Sequence, residues 1–133
     1  MSRRLTGLQA EQHVAEQLAG AGWQILARNW RTPYAEVDLA AEDPRGVLVL
    51  IEVKARNPLG FLQGEDHLTP RQLHRLEAVL QWLAAREGPR RALRLDLAVV
   101  LQAQGKILSW ELIEGLAGIE AAGQSRFVDL RGA

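Results

Sequence analysis

The chain has 133 residues, of which 47% are hydrophobic and 24% charged, and this balance is that of an ordinary folded domain rather than a disordered or fibrous protein. It contains no cysteine, which excludes a disulfide framework and a thiolate metal site. Its formal net charge is zero, so any attraction to nucleic acid must come from local patches and not from the field of the whole molecule.

The predicted elements begin with a helix over residues 7–20, which starts at a capping-box pattern. Turn residues and alternating apolar residues then predict strands at 23–30, 35–42 and 47–54, with turns at 31–34 and 43–46. The third strand is a continuous aliphatic run, which predicts a central strand covered on both faces.

The second half of the chain is predicted to add a helix and two strands. After a loop over residues 56–68, Thr69 and Pro70 supply the N-cap and the N1 proline of a helix that ends near residue 88. Strands at 93–103 and 106–113 follow, joined by a hairpin turn at Gln104 and Gly105. The order αβββαββ predicts one α/β domain over residues 1–114, and the pattern of residues 115–133 is too weak for an assignment.

Two charged residues, Glu52 and Lys54, stand out because they follow Leu48 and Leu50 on one face of the predicted central strand. An unpaired ion buried on such a face would cost several kcal/mol or shift its pKa until it became neutral. Glu52 and Lys54 therefore need a partner, a metal ion or water at the end of this strand.

The preceding strand supplies a candidate partner, Asp38. If the turn is centred on Arg45, antiparallel pairing places residue i opposite residue 90 − i, and Asp38 then faces Glu52 with their Cβ atoms about 4.5 to 5.5 Å apart. Two carboxylates at this distance repel each other unless a cation lies between them or one is protonated. A register slip of one residue would send Asp38 to the other face.

A third carboxylate, Glu11, lies on the apolar stripe of the first helix and is expected to point toward the sheet or its edge. Oxygen ligands without cysteine or clustered histidine favour Mg²⁺ or Mn²⁺ over zinc. We therefore predict a metal ion held by Asp38, Glu52 and the carbonyl of Val53. Lys54 would orient a water molecule or offset charge on a phosphate, and the reaction class implied is phosphodiester hydrolysis.

Asp38, thirteen intervening residues and then Glu52-Val53-Lys54 resemble the D-(x)n-(D/E)-x-K signature of the PD-(D/E)xK nuclease superfamily. The segments 7–15, 28–31, 35–39, 52–56 and 94–96 together resemble the YraN family, over roughly residues 5–113. That family is similar to archaeal Holliday-junction resolvases. The resemblance implies a restriction-endonuclease-like fold, a mixed β-sheet flanked by helices, and an endonuclease activity.

The same resemblance implies roles for individual residues. It assigns metal binding to Asp38 and Glu52, the catalytic lysine to Lys54 and a supporting carboxylate to Glu11, and it draws attention to Glu36 beside Asp38. Resolvase-like relatives also imply a homodimer, because a four-way junction presents paired cuts.

The sequence departs from the family pattern at four positions. Val37 stands where the superfamily name has proline, and Ala10 and Ala35 replace glycines. Gln72 stands where relatives carry lysine on the second helix, which puts a phosphate contact there in question. None of these departures removes a metal ligand.

Simpler interpretations stay open at this point. Asp38, Glu52 and Lys54 could form a salt-bridged cluster at a sheet edge, and Glu11 could be a helix-end carboxylate near solvent. Asp96 could assist the site, but an ion pair with an arginine such as Arg94 is the default interpretation.

Other polar and aromatic residues have ordinary interpretations as well. The histidines share no ligand spacing and are expected to be surface or loop residues: His13, His67 and His74. The tryptophans could stack on bases, but core packing is their default role: Trp23, Trp30, Trp82 and Trp110. The densest basic segment fits a solvated helix end as well as phosphate contacts: Arg86, Arg90, Arg91 and Arg94.

Two functions from different classes follow. The leading hypothesis is a metal-dependent endonuclease that hydrolyses DNA, including branched or structured DNA. The alternative is a non-catalytic nucleic-acid-binding module of the same fold, motivated by the neutral charge and the absent helix lysine; a protein-interaction scaffold is a third. Because the amino terminus lacks a signal peptide's apolar core and no run approaches the roughly 18 apolar residues of a membrane span, we expect a cytoplasmic protein that binds no membrane.

Overall fold

The structure, a computed structural model, describes residues 7–58, 68–88, 91–121 and 127–128. Within these ranges the elements are, in chain order, α1 (Gly7–Gly20), β1 (Gln24–Arg31), β2 (Glu36–Glu42), β3 (Leu48–Arg56), α2 (Pro70–Glu87), β4 (Leu93–Ala103), β5 (Lys106–Ile119) and β6 (Phe127–Val128). The strands form one sheet in the order β1-β2-β3-β4-β5-β6, antiparallel except for the parallel pair β3 and β4. The mixed α/β fold and the order αβββαββ are confirmed, with the two-residue β6 added.

The ends of these elements follow from local sequence. Helix α1 spans the predicted residues 7–20. At the start of α2, the Thr69 hydroxyl accepts a hydrogen bond from the Gln72 backbone N–H, and the Gln72 side chain accepts one from the Thr69 N–H, at 3.1 and 3.0 Å. Gln104 and Gly105 have φ of 53° and 77°, as the predicted two-residue hairpin turn requires.

The turn between β2 and β3 is closed by the side chain of Asp43. Its Oδ1 accepts hydrogen bonds from the backbone N–H groups of Arg45 and Val47, at 2.9 and 3.0 Å, and Gly46 adopts φ 88°. A glycine is suited to this left-handed conformation because it has no Cβ. The turn fixes the strand register so that Leu39 pairs with Ile51 and the partners' numbers sum to 90, which confirms the predicted register.

Two apolar cores lie on the two faces of the sheet. Helix α1 packs against one face and α2 against the other, and β3 contributes alternate residues to both cores. The buried residues of the α1 core are Ala10, Val14, Ala15, Leu18, Leu39, Ala41, Val49, Ile51, Ala98 and Val100. The prediction that β3 is a central strand covered on both faces is confirmed. No helix in the described ranges is long and apolar enough to cross a membrane.

Strand β5 is longer than predicted, because it continues through Gly115 to Ile119. The pairing with β4 is interrupted between Leu95 and Leu97, and Gly115 has φ 76° at this irregularity. A bulge of this kind breaks the alternation of apolar residues, so the sequence pattern ends before the strand does. The strand thus crosses the limit at residue 114 that the sequence suggested, and the loop and tail residues 59–67, 122–126 and 129–133 lie outside the described ranges.

A buried charge cluster ties this bulge to the β2–β3 turn. Arg94 donates from Nε and Nη2 to the two carboxylate oxygens of Asp96, at 2.8 and 3.0 Å, and from Nη1 to Asp43 at 3.2 Å. The Gly115 N–H also donates to Asp96, at 2.9 Å, and the Asp96 side chain is fully buried. The expected ion pair of Asp96 with Arg94 is confirmed, and the cluster holds strands β4 and β5 and the β2–β3 turn together.

Candidate functional site

The strands β2 and β3 part at the residues that the sequence singled out. Their ladder ends at the pair Leu39 and Ile51, one step before Asp38 and Glu52 would pair. In place of a backbone partner, the Val53 N–H donates to Oδ2 of Asp38 at 2.8 Å. The carboxylate of Asp38 is therefore fixed against β3, at the opening between the two strands.

Glu52 lies in this opening, and its pKa is raised well above that of an ordinary glutamate. Its side chain is 14% exposed, and burial, the charge of Asp38 and a hydrogen bond with the Asp38 carboxyl group raise the pKa of Glu52 to about 8. Lys54 Nζ lies 3.4 Å from Glu52 Oε1 and offsets this effect only in part. Without another cation, the Asp38–Glu52 pair holds a proton at neutral pH.

Glu11 approaches the same group of residues from α1. It is 8% exposed, and burial followed by the charge of Asp38 raises its pKa to about 7, while the Asn29 side chain and the charge of Arg28 act in the opposite direction. Its Oε1 is buried with no hydrogen-bond partner in the described part of the chain. Glu11 thus faces the sheet as expected, and the alternative of a helix-end carboxylate near solvent is wrong.

Asn29 is a neighbour of this site that the sequence argument did not single out by itself. It has φ 50° within β1, a left-handed conformation that is uncommon for residues with a Cβ and least unfavourable for asparagine and aspartate. Such backbone conformations concentrate at functional sites. The available signal was an asparagine inside a predicted strand, a position where its frequency is low.

Two further residues noted in the sequence, Glu36 beside Asp38 and Gln72 in place of a lysine of relatives, border a cleft of about 180 Å³ between β2, β3 and α2. The cleft is lined by Ala35, Glu36, Glu52, Gln72, Arg75 and Leu76. The Glu36 side chain is 51% exposed and lies 3.8 Å from Arg31. Glu36 and Gln72 therefore lie at the approach to Glu52, on the side opposite α1.

The remaining candidates have structural roles. All four tryptophans pack, partly buried, against the two cores, as the default interpretation predicted. In the basic segment, Arg86 lies over the Trp82 ring at 4.7 Å, Arg91 pairs with Glu42 and Glu87, and Arg94 is buried. Arg90 lies outside the described ranges. His13 is half-buried and His74 exposed, and His67 also lies outside these ranges.

A larger cavity of about 320 Å³ lies between β1 and the end of α2. Its lining is mainly apolar and includes Leu26, Trp30 and Leu83, with Arg86 and Glu87 at its margin. Glu87 and Arg86 are the charged residues of this lining, and one carboxylate beside one arginine does not indicate a catalytic site. The smaller cleft is the better candidate because Glu52, one member of the carboxylate pair, lines it.

The residues of this site lie within a segment that matches a known protein family. The model of the uncharacterised protein family UPF0102 matches residues 10–100, which include Glu11, Asp38, Glu52 and Lys54. The chain belongs to the UPF0102 family. This is the YraN family that the sequence segments resemble, so that part of the resemblance is confirmed.

Curated UPF0102 proteins from several bacteria are similar along most of their length. The one from Mycolicibacterium vanbaalenii is 39% identical over 119 residues, covering 87% of this chain and 96% of its own. The one from Mycolicibacterium smegmatis is 40% identical over 101 residues, covering 73% and 80%, and that from Bifidobacterium longum is 33% identical over 105 residues, covering 77% and 85%. The family description states no activity.

Asp38 and Glu52 are the described side chains of this UPF0102 member that could hold a divalent metal ion. In the described residues, no three histidine, aspartate or glutamate side chains are arranged to hold a metal ion together. Mg²⁺ keeps several of its waters and is commonly bound through one or two carboxylates. Asp38 and Glu52 supply two carboxylates, which is the number that such a hydrated ion commonly uses. Without an ion, the two carboxylates retain a proton.

The raised pKa values predict how the stability of this UPF0102 member depends on pH. Glu52 and Glu11 bind protons in the folded state up to about pH 8 and 7, but in the unfolded state only up to about 4.5. As far as these two groups are concerned, the metal-free protein should therefore be most stable below pH 4.5. Its free energy of unfolding should fall by several kcal/mol as pH rises to 8.

Urea unfolding in EDTA at several pH values measures this dependence. Glu52→Gln should reduce it to the part that Glu11 contributes, because a neutral side chain does not titrate. Glu111→Gln, at an exposed carboxylate of β5, should leave it unchanged. A wild-type stability that rises between pH 5 and 8, or an unchanged slope in Glu52→Gln, would contradict the prediction.

Proposed function

We propose that this chain is a divalent-metal-dependent endonuclease of the PD-(D/E)xK superfamily, with a restriction-endonuclease-like fold, that hydrolyses DNA phosphodiesters. The observation that carries the proposal is the pairing of the Asp38 and Glu52 carboxylates where β2 and β3 part, with Lys54 Nζ 3.4 Å from Glu52. Acidic groups with raised pKa values beside a lysine and a cleft are typical of functional sites.

The proposed roles follow from the chemistry of each group. Asp38 and Glu52 would hold Mg²⁺ or Mn²⁺, with the carbonyl of Val53 as a third ligand. When bound, the ion would polarise a phosphoryl oxygen and lower the pKa of the attacking water. Lys54 has only donors, so it would orient that water or offset the charge that develops on the phosphate. Glu11, with a pKa of about 7, is suited to proton transfer near neutral pH.

Incubation with linear, flapped and four-way DNA tests this proposal. We expect strand cleavage with Mg²⁺ or Mn²⁺ and none with EDTA, because the phosphoryl oxygen is then not polarised. Lys54→Ala should lose cleavage in parallel preparations. Equal cleavage by the wild type and Lys54→Ala would reveal a contaminating nuclease and leave the proposal without support.

Metal binding can be tested apart from cleavage. A crystal soaked in Mn²⁺ should show anomalous density between Asp38 and Glu52, and Mn²⁺ should raise the melting temperature more at pH 8 than at pH 6, because the ion displaces the shared proton. Absence of both effects at saturating Mn²⁺ would contradict a metal site here.

A non-catalytic nucleic-acid-binding module is the second candidate, and the ion pair of Lys54 with Glu52 favours it because the lysine is already engaged. In that case structured DNA would bind to Glu52→Gln as well as to the wild type, and no metal ion would yield a cleavage product.

The proposed endonuclease would act as a homodimer on four-way DNA. Sedimentation of the protein with and without that DNA measures its oligomeric state.

A further inference from the structure

We infer that the cleft between β3 and α2 is a subsite for one phosphodiester group of the nucleic-acid backbone, bound by Arg75 with Gln72 at its side. This inference rests on the proposed function, because it places the phosphate next to Glu52. Arg75 is a residue to which neither the signature nor the family resemblance drew attention.

Arg75 is positioned to act as the cation of this cleft. It lies three residues after Gln72 on α2, so both side chains project from the same side of the helix, and both line the cleft with Glu36 and Glu52. Arg75 is exposed and forms no ion pair with another residue of the described ranges. Its guanidinium group is therefore available to a ligand.

Gln72 adds fixed donors to the same wall. Its Oε1 accepts the hydrogen bond from the Thr69 N–H at 3.0 Å, which uses the acceptor of the amide and restrains the side chain. The Nε2 group keeps its two donors, since an amide carries its acceptor and donors on different atoms. A wall made of an arginine and amide donors favours an anion with several acceptor oxygens.

The opposite wall explains why the ligand should be a phosphodiester and not a carboxylate or a free base. Glu36 and Glu52 line it, so a lone anion would be repelled by Glu36, and by Glu52 once it is ionised, unless a cation is shared with it. A phosphodiester can present one oxygen to Arg75 and another to a cation held by Glu52. The volume of about 180 Å³ is below the roughly 300 Å³ of small-molecule sites, which suits a single phosphate group of a longer chain.

Fluorescence anisotropy with labelled duplex and four-way DNA in Mg²⁺ tests the subsite without cleavage when every variant also carries Lys54→Ala, which is expected to abolish cleavage. Arg75→Ala should weaken binding roughly tenfold and should reduce the slope of log affinity against log salt by about one. Arg75→Lys should keep the slope but not the full affinity, because lysine loses the planar fork. The matched control is Arg71→Ala, which removes the same charge from an exposed position of α2 outside the cleft lining and should change binding much less.

The outcomes separate this inference from the proposed function. If the wild type cleaves DNA and Arg75→Ala binds and cleaves it equally well, the subsite is refuted and the nuclease proposal stands. If the wild type binds without cleaving and only the Arg75 variants lose affinity, the subsite stands and the nuclease proposal is refuted. Equal losses of affinity in Arg71→Ala and Arg75→Ala would show that only the total positive charge matters, and would overturn the subsite. A wild type that neither binds nor cleaves DNA would overturn both the subsite and the nuclease proposal.

Discussion

Asp38→Asn is expected to lower Mg²⁺-dependent cleavage of DNA at least about a thousandfold, which corresponds to roughly 4 kcal/mol of transition-state stabilisation. The substitution keeps an oxygen that can accept the hydrogen bond from the Val53 N–H, now 2.8 Å from Oδ2, so the local structure should persist. It removes the charge that would help to hold the metal ion. Single-turnover cleavage at saturating protein measures the chemical step separately from DNA binding.

The same variant should be more stable than the wild type in EDTA, because the charge of Asp38 raises the pKa of both Glu11 and Glu52. Lost activity together with raised stability is the pattern expected of a site in which like charges are held together for function. Glu111→Gln, the same change of chemistry at an exposed carboxylate, should leave both properties unchanged. Cleavage by Asp38→Asn within tenfold of the wild-type rate would refute the metal-binding role of Asp38.

Asp96→Ala should have the largest effect on folding, a loss of about 3–5 kcal/mol in the free energy of unfolding. Arg94 would stay buried without the two hydrogen bonds from Nε and Nη2, and the Gly115 N–H would lose its acceptor. Asp43, 3.2 Å from Arg94 Nη1, compensates the charge only in part. Urea unfolding at pH 7 measures the loss, and a variant that is largely unfolded agrees with the expectation.

The matched control is Glu36→Ala, which breaks the exposed pair with Arg31, whose side chains are 51% and 90% exposed. Exposed ion pairs contribute little, so this change should stay within about 0.5 kcal/mol of the wild type. A comparable effect of Asp96→Ala and Glu36→Ala would show that burial does not determine what these pairs contribute.

The sequence was sufficient for those parts of the site that short-range rules determine. The turn at Asp43 has its own hydrogen-bonding chemistry, so its centre could be located, and the register of β2 against β3 followed by counting. The position of Glu11 followed from helical periodicity in the same way. Each of these inferences needed only neighbours within one turn or one hairpin.

What the sequence did not predict depends on contacts between distant segments. Strand β5 continues past Gly115 because Asp96, nineteen residues earlier in the chain, accepts the hydrogen bond of its N–H at a bulge. The position of Arg75 in the cleft depends on how α2 lies beside β3, and the hydrogen bond of the Asn29 side chain with Glu11 joins β1 to α1. The spacing of apolar residues within one segment carries no information about contacts with a distant segment.

The sheet topology has a consequence for the order of assembly during synthesis on the ribosome. Glu11, Asp38, Glu52 and Lys54 all belong to α1 and the three antiparallel strands that follow it, so they can meet through local pairings. The parallel partner β4 begins at Leu93 and must wait for the crossover through α2 to be completed. The acidic group can thus come together before the nascent chain has supplied the arginine of α2 and the strand that encloses β3.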